Sequence, residues 1–136
     1  MFYQIRKWWR GRAVQQLNRD AVEIIRRDSL AYTDAHLTTI ANLLRTYLAE
    51  FESSPQTASR RREVAMRLKS RHREARRRHD QAVLTAATLA IIYRRGLEAG
   101  ESAAPACDAV QVFLDRYADR EGVTADGELG LYQLSV

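Results

Sequence analysis

The chain has 136 residues, and its 22 Lys+Arg against 17 Asp+Glu give a net charge of +5. That length suits one domain with a sizeable core, and 46% apolar residues with only two Pro and six Gly exclude a disordered or collagen-like chain. A single Cys excludes a disulfide scaffold and a cysteine-rich zinc site, and no apolar run approaches the ~20 residues that cross a bilayer.

Between Arg12 and Arg95 there is no Gly and one Pro, Pro55, so that span reads as mostly helix. A first helix is expected over about 3–28, where Ile5, Trp9, Ala13, Leu17, Ala21 and Ile24 recur at three- and four-residue intervals. Asp28, Ser29, Thr33 and Asp34 then supply turn and cap chemistry. Near its start, Arg6, Lys7, Trp8, Trp9, Arg10 and Arg12 set two indoles among four cations. Three readings compete there. Trp9 packs in the core with cationic stems beside it, or the segment lies in a membrane surface, or the indoles stack on bases as an accessory nucleic-acid contact.

A second helix is expected over about 34–52, with the stripe Leu37, Ile40, Ala41, Leu44, Leu48 and Phe51, stopped by Ser53-Ser54-Pro55. Nothing interrupts helix from about 57 to 95, which would give one rod of about 58 Å. A seven-residue repeat runs along it through Ala65, Leu68, His72, Ala75, His79, Ala82, Ala86, Leu89 and Tyr93, like a narrow coiled-coil seam. Its second half is apolar or Thr on every side. If the rod is continuous, that half overshoots the bundle, and a second subunit would cover it through Leu84, Ala87, Ile91 and Ile92. The alternative is a break near His79-Asp80 that folds the chain back.

Pro105 starts a fourth helix over about 105–121, after a stop at Gly96 or Gly100. Residues 122–136 form a tail in which Tyr132, Leu134 and Val136 alternate as in a short strand. The expected fold is all-α: a single-domain up-down bundle of three long helices and a shorter fourth, with an irregular or β-like tail.

The charge is segregated. Residues 60–79 hold ten cations (Arg60, Arg61, Arg62, Arg67, Lys69, Arg71, Arg73, Arg76, Arg77 and Arg78) against Glu63 and Glu74. Residues 80–136 hold four cations against nine acids. Like charges at i,i+4 weaken a helix by a few tenths of a kcal/mol per pair, so packing or a bound polyanion must compensate. A polyanion such as nucleic acid suits this stretch, because arginines along one helix can meet successive phosphates. The bland alternative is a solvated face matched by carboxylates of the same chain, with Asp108, Asp115, Asp119 and Glu121 giving the fourth helix an acidic side.

Catalytic signatures are sparse. His72 and His79 share a face about 10.5 Å apart, too far for one metal ion. His79-Asp80 is also a dipeptide of helical metal-dependent phosphohydrolases, but His36 and Asp108 or Asp119 would have to complete that site. Cys107 falls in the first turn of the fourth helix, where a dipole can activate a thiol, yet also on its inner face. No catalytic residue, metal or cofactor is expected. In size and charge the chain is similar to small helical subunits that line nucleic acid within larger bacterial assemblies. The expectation is a cytoplasmic, non-catalytic protein binding a phosphate backbone through residues 60–79, in an oligomer or larger complex. The alternatives are an adaptor docking on an acidic protein and a peripheral membrane protein held by its N-terminal Trp/Arg segment.

Overall fold

The computed structural model describes the backbone of residues 2–52 and 57–119, and side chains from Gly11 onward within those ranges. The expected C-terminal tail and the Pro55 stop lie outside the described residues, whereas the fourth expected helix ends at Tyr117, short of the expected 121, because Ala118 turns extended (φ -68°, ψ 128°). The fold is an all-α bundle. It comprises α1 (Phe2–Ala31), α2 (Asp34–Glu52), α3 (Ala58–Arg78), α4 (Gln81–Ala99) and α5 (Ala104–Tyr117), with a 3-10 turn at Gly100–Ala103.

The third expected helix is two helices, which corrects the continuous rod over 57–95. Two residues make the break. His79 takes the left-handed conformation (φ 57°, ψ 34°), its N–H turns back to Arg76 O at 3.4 Å, and the Asp80 N–H reaches Ala75 O at 2.9 Å. That is the closure of a Schellman C-terminus, with histidine where glycine is usual. Asp80 then caps α4, its carboxylate accepting from Val83 N at 3.2 Å. No seam can run from Ala65 to Tyr93 through such a reversal. On α3 the buried residues are Val64, Leu68 and Ala75, whereas Ala65 and His72 are half-buried.

The reversal carries the apolar segment into the middle of the molecule, where α4 packs against α1, α2, α3 and α5. Ala86, Ala87, Leu89 and Ala90 have no exposed surface, and Ile92 keeps 5%. Their small size lets four helices approach one. Gly96 goes further: a Cβ there would stand 2.7 Å from Cys107 Sγ of α5. The overhang thus does not exist, and the case for a second subunit over Leu84, Ala87, Ile91 and Ile92 loses its ground. Ala87 and Ile92 are interior to one chain, and Leu84 and Ile91 are half-buried.

On α2 the expected stripe is observed, with Leu37, Ile40, Ala41, Leu44 and Leu48 buried and Phe51 half-buried against the same core, joined by Tyr47. α1 runs three residues beyond the expected end because Asp28 is not a turn residue. It is 3% exposed within the helix, accepting from Thr85 Oγ1 of α4 at 2.8 Å and from Arg27 Nε at 3.1 Å. The α1 stripe therefore reaches the core as Leu17, Ala21 and Ile24, with Ala13 exposed. Two asparagines close the ends of α5: Asn18 Oδ1 accepts from Ala106 N, and Asn42 Oδ1 accepts from Asp119 N.

Asp80→Ala removes the α4 cap and should lower stability by about 1 kcal/mol in urea unfolding. His79→Gly should hold stability or raise it by up to ~1 kcal/mol, since a non-glycine residue in this conformation carries a cost of that size. An unchanged midpoint in Asp80→Ala would contradict the assigned cap.

Candidate nucleic-acid interface

The ten cations of α3 separate by helix face into two sets. One flank is internally matched. Arg60 and Arg67 reach the two oxygens of Glu63 at 2.9 and 3.0 Å, and Arg77 and Arg78 share Glu74 Oε1 at 2.8 Å each. The hydrogen bond from Arg77 holds the Glu74 carboxyl below the usual carboxylate range. Among the described residues, Arg71 is the one of these ten cations that pairs with a carboxylate of another helix. It forms a two-pronged pair with Glu50 of α2 at 2.9 and 3.0 Å, and its guanidinium lies 4.6 Å from the centre of the Tyr47 ring. This pair ties α3 to α2; burial meanwhile raises the Tyr47 pKa, against the pull of Arg71.

The other set is unmatched. Among the described residues no carboxylate lies within 4 Å of Arg61, Arg62, Lys69, Arg73 or Arg76. At 3.6 residues per turn, Arg62, Lys69, Arg73 and Arg76 fall within about 60° of the circumference and span about 21 Å of helix axis. All four are exposed, on the side away from Val64 and Leu68. Met66 lies beside the row and is 69% exposed.

Sequence reasoning missed two further cations. Arg27 of α1 lines a cleft of about 320 Å³ with His72, Arg76, Gln81, Thr85 and Thr88, which sets an exposed cation, itself paired with Asp28 at 3.1 Å, next to the end of the row. Arg94 of α4 is 9% exposed and faces the other end of the row, beside Arg61 and Arg62. Neither had a strong sequence signal, because each belongs to a short Arg pair far from residues 60–79 (Arg26-Arg27, Arg94-Arg95), and only the packing of α1 and α3 against α4 brings it near.

Of the expected accessory residues, Arg6, Lys7, Trp8 and Arg10 belong to the backbone of α1, but their side chains, with that of Trp9, lie outside the described residues. Arg12 is exposed. Among the described residues the carboxylates paired with α3 cations are Glu50, Glu63 and Glu74, not those of the acidic fourth expected helix, whose Asp108 and Asp115 lie on α5; Glu121 lies outside the described residues.

The residues weighed for catalysis have other occupations. His79 and Asp80 form the reversal, and His36 stacks on Tyr32 with ring centres 4.2 Å apart. Among the described residues no group of three or more His, Cys, Asp or Glu is placed to hold a metal ion. Also among the described residues, no helix is long and apolar enough to cross a membrane. Burial and the neighbouring Asp108 push the Cys107 thiol up, opposite to an activated nucleophile. No family model, curated protein or solved structure matches the chain.

Glu50→Gln should lower stability by about 1 kcal/mol, a value limited by solvent because both partners are roughly one-third exposed. Urea unfolding of Glu50→Gln, Arg71→Gln and the double variant isolates the pair, and additive losses would contradict it. The pH profile for alkylation of Cys107 should be displaced above that of a free cysteine. A profile displaced below it would contradict the buried, protonated thiol.

Proposed function

We propose that the protein is a non-catalytic binding protein that holds the phosphate backbone of a nucleic acid along the outer face of α3. The observation that supports this reading is the division of α3: among the described residues its flank cations have carboxylates, and its outward row has none. Three exposed arginines and a lysine along one helix offer forked donors and a point charge in a row, which suits successive phosphate oxygens. It also stores repulsion, with Lys69 and Arg73 at i,i+4 spacing, and a polyanion relieves that while releasing condensed counterions. Phosphate contacts of this kind set affinity and register without reading bases. Arg62, Lys69, Arg73 and Arg76 are the principal contacts, and Arg27 extends them across the cleft to α1.

One observation favours a second reading. Met66 places an exposed apolar side chain beside the row, which fits an acidic helix with an apolar stripe better than bare phosphate. In that case the protein is an adaptor for an acidic protein, and binding saturates at fixed stoichiometry instead of growing with polyanion length.

Fluorescence titration with oligonucleotides of increasing length, repeated across salt concentration, tests the proposal. Four to five phosphate contacts give a log–log salt slope of about −3 to −4, or roughly a hundredfold loss between about 50 and 200 mM salt. Arg73→Glu with Arg76→Glu should weaken binding more than about tenfold on every sequence. Arg67→Gln, on the matched flank, should change it little. Equal effects from the two faces, or no binding at about 50 mM salt, would overturn the reading.

A further inference from the structure

Where the start of α3 meets the end of α4, Ala58, Arg61, Arg62, Ala65, Arg94 and Glu98 line a cleft of about 440 Å³. Its charge is unbalanced. Arg94 donates through a terminal nitrogen to Glu98 at 2.8 Å, whereas its buried Nε meets no acceptor among the described residues. Arg61 and Arg62 have no carboxylate within 4 Å there either. The cleft thus holds three guanidiniums and one carboxylate, and one of the guanidiniums is 9% exposed, where an incompletely bonded charge is most costly. The first turn of α3 at Ala58 adds the positive end of a helix dipole.

We propose that this cleft is a binding site for a phosphate monoester or diphosphate group. The excess of two positive charges matches a phosphate monoester, which carries about −1.5 to −2 at neutral pH, and offsets most of the larger charge of a diphosphate. Three planar forks approaching from two helices suit a tetrahedral anion with three free oxygens better than a carboxylate with two. The alanines at 58 and 65 leave the space open. Arg94 supplies the buried anchor, held in place by Glu98, and Arg61 and Arg62 close over the anion from α3. Such a phosphate comes either from a small phosphate compound or from the end of a nucleic-acid strand. The second source rests on the backbone-binding reading above, since Arg62 belongs to both the cleft and the row.

The experiment is calorimetric titration of the intact protein with sodium pyrophosphate at constant ionic strength, with a parallel arm comparing 5′-phosphorylated and 5′-hydroxyl oligonucleotides of one sequence. Pyrophosphate should bind at one site per chain. Arg61→Gln, an exposed position, should weaken it about tenfold or more, and so should Arg94→Gln where that variant folds. Arg73→Glu with Arg76→Glu should leave pyrophosphate binding intact, which separates this site from the row. A preference for the 5′-phosphorylated strand that Arg61→Gln abolishes assigns the cleft to strand ends; equal strand affinities with pyrophosphate binding retained assign it to a small phosphate compound. If pyrophosphate binds while neither oligonucleotide does, the backbone reading fails and this one stands. Absence of saturable pyrophosphate binding, or wild-type affinity in Arg61→Gln, overturns the proposal.

Discussion

The structure depends on the reversal at His79 and Asp80. Two residues divide a run of about forty helix-forming positions into two helices of opposite character. One side of the break is α3, with ten cations on 21 residues; the other is α4, apolar enough to be enclosed by its neighbours. A continuous rod would leave the apolar half in water at a cost that a capping residue cannot approach, because each fully buried large aliphatic side chain contributes about 1.5–3 kcal/mol. The left-handed conformation at His79 costs about 1 kcal/mol by comparison. Burial therefore wins, and α3 is left on the outside as the consequence of α4 being inside.

An outer helix of that charge must also hold together. Glu63 and Glu74 each serve two arginines on one flank, and Glu50 reaches across from α2. Arg76, Arg77 and Arg78 sit in the last turn, where the helix dipole favours positive charge. These contacts are individually small, and the exposed ones are worth a fraction of a kcal/mol each. They offset repulsion on the flank and leave the outward row as it is. Function, on this account, resides in the part of the charge pattern that the fold does not neutralise.

Much of the bundle was legible in the sequence. The α2 stripe needed only its period, because every buried position recurs at three or four residues and Thr33 and Asp34 mark its start. The segment after Gln81 was legible as buried from its composition alone. What covers it stood between a second subunit and a break at His79-Asp80, and the break, named as the alternative, is what the structure has. Histidine and aspartate carry no helix-breaking signature as strong as glycine or proline, and a seven-residue repeat happens to cross them. Asp28 misled for a similar reason: a carboxylate near a helix end reads as a cap, and only Thr85, distant in sequence, makes it an interior hydrogen-bond acceptor. On α3 the local partners Glu63 and Glu74 follow from spacing, but Glu50, Arg27 and Arg94 enter only through tertiary packing. The charge density of the candidate interface was therefore visible early, and its division into matched and unmatched faces was not.

The most direct test of the account is a distance across the reversal. Spin labels at Ser59→Cys and Ala99→Cys, with Cys107 replaced by Ala, flank residues that line one cleft in the hairpin. Pulsed electron resonance should find them within about 25 Å, since a two-residue connection sets α3 and α4 side by side as antiparallel neighbours. A separation near 60 Å, the length of an unbroken helix over the same residues, would contradict the account at its root.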